Sequence, residues 1–124
     1  MLKLFILGIA GAAGTISRYL LGGWTHQLFG AEFPYGTLVV NISGCLAIGF
    51  LGTLTEERFL ISPQIRTALL IGFLGAFTTF SSFAYETWSM FKDGEMMMAG
   101  LNVLASVITC FVGLLIGVFL ARLI

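Results

Sequence analysis

Charge is what this chain has least of. Asp, Glu, Lys and Arg make up 10% of its 124 residues, six acidic and six basic, and they cancel to a formal net charge of zero. That balance supplies no basic surface for nucleic acid and no bias toward an acidic substrate. Histidine occurs once, as His26, in a loop-like stretch where it reads as a solvated surface group. Cysteine occurs twice, as Cys45 and Cys110, each inside an apolar run. The two read as small buried hydrophobes rather than as a disulfide or a metal pair. No cluster has metal-ligand spacing, no nucleophile stands beside a base, and no carboxylate dyad is present, so an enzyme is not expected.

What is plentiful is apolar. Hydrophobic residues are 58% of the chain and the mean hydropathy is +1.02. A water-soluble domain of this size would lack the polar surface to cover itself. Crossing a bilayer takes about 20 apolar residues, and four runs approach or exceed that length: 4–21, 36–54, 64–91 and 96–123. They are separated by Gly22-Gly23, Gly30 and Pro34, then by Glu56, Glu57, Arg58 and Pro63, then by Lys92-Asp93-Gly94-Glu95. Lys3 with Ala10-Gly11-Ala12 resembles a cleavable leader, but the apolar run continues toward Leu21, and a retained first helix is expected. The fold class is therefore an all-α membrane protein, one four-helix transmembrane domain over 1–124. With four spans the termini share a side, carrying Lys3, Arg58, Arg66 and Arg122 against Arg18 and Lys92 on the other. Four against two chooses no orientation, and insertion both ways round stays open.

The fourth run carries Asn102, Ser106, Thr109, Gly113 and Gly117 at spacings of four, three, four and four, which is one helical face. Gly113 and Gly117 form a GxxxG pair suited to close helix approach. Four helices are too few to wall a wide pore, so transport would favour an oligomer. If both orientations insert, an antiparallel pair supplies the inverted symmetry that larger transporters encode in one chain.

Polar groups inside the runs are where chemistry would lie. Asn41 in "TLVVNISG" must be satisfied in hydrocarbon, by an interhelical hydrogen bond or as a donor lining a path. The stretch "GFLGAFTTFSSFAYE", Gly72 to Glu86, combines glycines with the hydroxyl pairs Thr78-Thr79 and Ser81-Ser82. These lower helix propensity and offer local hydrogen bonds, predicting a break near Gly75 to Thr78. Non-helical backbone at membrane depth needs protein or a cavity around it, and its freed carbonyls suit a cation such as Na⁺. Phe80 and Phe83 share one face, against lipid, in the core, or with their electropositive ring edges toward an anion. Thr79, Ser82 and Glu86 make another stripe. Glu86 reads as an interfacial carboxylate or a group at a path's mouth, and Arg18 as a snorkelling anchor or a positive vestibule charge.

At these residues the chain resembles the Fluc, or CrcB, family of fluoride channels over essentially its whole length. "GAAGTISRY", "GTLVVNISG" and "GFLGAFTTFSSFAYE" resemble that family's first, second and third helix motifs, in order. Ala76 stands where many relatives have a second glycine. The resemblance implies an antiparallel, dual-topology homodimer in the bacterial inner (plasma) membrane, with the third helix broken near its middle and two narrow fluoride pathways. It implies that Asn41, Phe80, Phe83 and Ser106, with Asn102 and Thr79 near them, line the pathway, and that Arg18 sits toward an entrance. It also implies that the backbone oxygens of Gly75 and Thr78 hold a structural Na⁺ at the dimer axis. Cys110 is left outside the pathway. No proton relay is visible, so passive fluoride export is expected, with fluoride/proton antiport as the alternative and a purely structural membrane subunit as a third reading.

Overall fold

The computed structural model describes residues 1–57 and 61–124. Arg58, counted above in the second polar break, lies outside the described residues. Helix α1 runs Leu2–Phe29 and α2 runs Tyr35–Glu57. The third span begins as α3, Pro63–Thr67, widens into a π-helical segment, Ala68–Leu74, and closes with α4, Gly75–Phe77. After two extended residues it resumes as α5, Phe80–Lys92, and α6 runs Met96–Arg122. Pro63–Lys92, α1, α2 and α6 are each long and apolar enough to cross a membrane.

The ends follow local chemistry. Gly30, at φ 81, ends α1 with its N–H donating to the His26 carbonyl at 2.9 Å, and Gly94, at φ 84, turns the chain between α5 and α6. Both are left-handed positions that glycine tolerates without steric cost. Ser62 caps α3, with Pro63 at its first turn.

One expectation is corrected here. Gly22-Gly23 does not begin a loop, because α1 continues through it to Phe29 and carries His26 in its last turn. Helix propensity is a weak preference that packing overrides. Gly22 lies where α2 begins, and a Cβ on Gly36 would come within 2.9 Å of the Gly22 carbonyl oxygen. The break expected near Gly75 to Thr78 is present, at the end of that window and one residue beyond it. Gly75 stays helical (φ −64, ψ −32), and the extended residues are Thr78 (ψ 156) and Thr79 (ψ 110). The π-helical widening before it carries no pattern that periodicity could have shown.

Helix α2 packs most extensively on α6, and α1 lies against the first half of the third span and against α2. The α2–α6 contact is close because glycines on both helices meet backbone. A Cβ on Gly49 would strike the Leu114 carbonyl oxygen, and one on Gly117 the Leu46 carbonyl oxygen. Gly14 of α1 meets the Phe73 backbone in the same way. The buried residues of the fourth-helix stripe are Asn102, Ser106, Gly113 and Gly117. Leu104, Ile108, Phe111 and Leu115 are exposed on other faces, as lipid-facing residues would be. The small core is Val40, Leu74 and Phe77. Gly117→Ala is expected to destabilise the protein by about 1–3 kcal/mol by overpacking. A fall in the detergent-induced unfolding midpoint would register it, and an unchanged midpoint would contradict the close approach.

Candidate functional site

The break at Thr78 and Thr79 leaves backbone groups without helical partners inside the bundle. Two side-chain devices replace them. Asn41 of α2 pairs with Thr79 reciprocally: the Thr79 N–H donates to Oδ1 at 2.8 Å, and Nδ2 donates to the Thr79 carbonyl at 3.0 Å. Thr79 Oγ1 caps α5, accepting from the Ser82 N–H at 3.1 Å. Both N–H groups are thereby drawn from their helical acceptors four residues earlier. Those acceptors are the carbonyls of Gly75 and Thr78, the pair singled out from sequence.

Asn41 thus satisfies the broken backbone, which is the interhelical hydrogen-bond reading of this residue. One Nδ2 hydrogen is left over, since an amide has two donors, and Asn41 also lines an open groove of about 330 Å³. Gly75, Thr78, Thr79, Phe80, Phe83 and Ser106 line the same groove. The two rings stand 5.3 Å apart at 52°. Phe83 is 8% exposed and Phe80 78%, so one ring is inside the bundle and the other projects from it. Cys45 and Cys110 also line the groove and are half-buried. Their reading as core hydrophobes is corrected on that point, because hydropathy cannot tell an inner wall from an interior.

A hydroxyl–amide chain runs behind Phe83. Ser106 Oγ donates to Asn102 Oδ1 at 3.4 Å, Asn102 Nδ2 donates to Thr87 Oγ1 at 2.9 Å, and Thr87 donates to the Phe83 carbonyl at 2.7 Å. Asn102 is buried and held within this chain rather than on the groove wall. Ser106 both ends the chain and meets the groove. Sequence reasoning missed Thr87, whose only signal was a hydroxyl on the last helical stretch of a broken span.

On the other side of the break lies a second cavity of about 390 Å³, lined by Arg18, Thr37, Thr79, Ser82 and Glu86 among others. The Thr79, Ser82 and Glu86 stripe therefore faces one space. Thr37 Oγ1 donates to Glu86 Oε1 at 2.7 Å. Among the described residues, Arg18 Nε and Glu86 Oε2 are shielded and have no hydrogen-bond partner. Thr79 lines both cavities and stands between them. Chemically the site offers a cavity with a guanidinium, an amide-pinned break, and a groove with hydroxyl and aromatic walls.

The family model described as "CrcB-like protein, Camphor Resistance (CrcB)" matches residues 5–118. The chain is 48% identical over 116 residues to a protein of Geotalea uraniireducens named "Fluoride-specific ion channel FluC", covering 94% of each chain. It is 46% identical over 122 residues to proteins of the same name from Geotalea daltonii and Geobacter sulfurreducens, covering 98% of each chain.

Proposed function

Because the chain belongs to the CrcB family and is an integral, multi-pass protein of the bacterial plasma membrane, we propose that it is a fluoride-selective channel. In this reading fluoride leaves the cell passively and its cytoplasmic level falls. Full-length similarity to named fluoride channels supports it, and the single structural observation that carries it is the amide-pinned break opening on an aromatic and hydroxyl groove.

Fluoride is small and strongly hydrated, so a dry path must replace its water with donors. Arg18 would attract the anion into the vestibule. The spare Nδ2 hydrogen of Asn41, the Ser106 hydroxyl and the ring edges of Phe80 and Phe83 would then compensate it in series. Several weak stations let an ion enter and still leave. Thr79 would position the Asn41 amide, and Asn102 would hold the Ser106 hydroxyl.

We further propose a second, antiparallel copy against the groove. Its support is a phenylalanine ring 78% exposed beside polar groups at membrane depth. Gly75 and Thr78 line the groove, and their carbonyls, relieved of their helical donors, would hold Na⁺. Bound, that ion would supply fixed positive potential.

The test is anion release from liposomes holding the purified protein, with chloride as the control. Fluoride release without chloride release, and without an imposed proton gradient, is expected. Equal release of both anions, or an absolute need for a proton gradient, would overturn the reading. Replacing Phe80 and Phe83 together by Ile is expected to slow fluoride release by at least about fivefold, since aromatic edge contacts are worth about 0.5–1.5 kcal/mol each. Unchanged release would remove the rings from the path.

A further inference from the structure

Cys45 and Cys110 line the groove, and fluoride conduction gives neither thiol a role. They sit on different helices, and the packing places them opposite each other. Gly49 of α2 meets the backbone of Leu114 of α6. Counting four residues back on each helix, one turn, arrives at Cys45 and Cys110. The two helices run parallel here, as the further contacts of Gly113 with Ile42 and of Gly117 with Leu46 require. Both thiols open on the same groove.

We infer that Cys45 and Cys110 form a two-thiolate site for a soft divalent cation that accepts linear coordination, with Hg(II) as the probe. Thiolate sulfur selects soft metals, and the thiolate is the form that binds. Two ligands suffice for linear coordination, so no third residue is needed. The step is Hg²⁺ + 2 RSH → RS–Hg–SR + 2 H⁺: two S–H bonds break, two Hg–S bonds form, and the protons leave to solvent. The product is neutral, which matters in a low-dielectric wall. A monovalent soft cation would leave a net negative charge there, at a desolvation cost. The divalent ion is favoured for that reason.

The experiment uses the full chain in detergent and in liposomes. One equivalent of mercuric chloride per chain is expected to remove both thiols from reaction with a chromogenic thiol reagent. Two thiols acting separately would take two equivalents, and that stoichiometry would overturn the site. C45S and C110S are each expected to retain Hg(II) against a monothiol competitor at least about a hundredfold less well than the unaltered chain, because the second bond is intramolecular. Equal retention in all three proteins would also overturn it, and would exclude a bridge between like cysteines of two chains as the basis of the site. In liposomes, the same equivalent is expected to stop fluoride release, reversibly with a dithiol. Hg(II) bound as described but without inhibition would confirm the thiol site and count against the groove as the fluoride path.

Discussion

Asn41→Leu is expected to cut fluoride release by at least about a hundredfold, the equivalent of about 3 kcal/mol. Two losses coincide at this side chain. The spare Nδ2 hydrogen disappears from the dry path, and losing a positioned donor to a desolvated anion costs about 2.7–4 kcal/mol in comparable sites. The Thr79 N–H and carbonyl also lose both partners, at about 1–3 kcal/mol for each buried group left unsatisfied. The second loss destabilises as well as slows, so a further variant separates the two. Asn41→Asp keeps an acceptor for the Thr79 N–H but removes the donor and adds a negative charge. It should keep more of the folded protein than Asn41→Leu and still release fluoride at a small fraction of the unaltered rate. Release near the normal rate from a folded Asn41→Asp protein would show that the amide serves the backbone alone.

Gly44→Ala is expected to be nearly as damaging, from a single methyl. That methyl would occupy the position of Thr78 Cγ2, with Phe77 Cδ1 next at 3.3 Å. Thr78 is an extended residue of the break, so the collision would push the break itself. We expect at least about a tenfold loss of fluoride release, with a stability loss of about 1–3 kcal/mol from overpacking. Thr78→Ser deletes the colliding methyl and keeps the hydroxyl that donates to the Leu74 carbonyl at 3.0 Å. Combining it with Gly44→Ala should restore most of the release and stability, leaving only a small adjustment of Phe77. Additive losses in the double variant would mean that Gly44 acts on something other than Thr78.

Crossing segments are the easiest thing to read in such a chain, because length and hydropathy need no knowledge of partners. The Asn102, Ser106, Gly113 and Gly117 face was legible for a similar reason: regular spacing on one helix fixes a shared direction. The break was legible to within a residue, but its cause was not. Gly72 and Gly75 drew attention by their low propensity, yet a Cβ on Gly72 would come within 2.9 Å of Ala10, so that glycine serves packing on α1. The residues that leave the helix are two threonines, and what allows it is Asn41, 38 positions earlier. Nothing local marks that pairing. The opposition of Cys45 and Cys110 was illegible too, since it depends on the register of two helices separated by the whole third span.

Thr79 lines both the Arg18 cavity and the groove, so an anion on the proposed path would pass this residue in going from one to the other. There it would give up its remaining water over roughly a single residue, about 3–4 Å. The steepest part of its energy profile would then sit at a residue whose N–H and carbonyl are both held by the Asn41 amide. A residue held in this way would have little freedom to yield to a larger halide, so size exclusion there would need no moving gate.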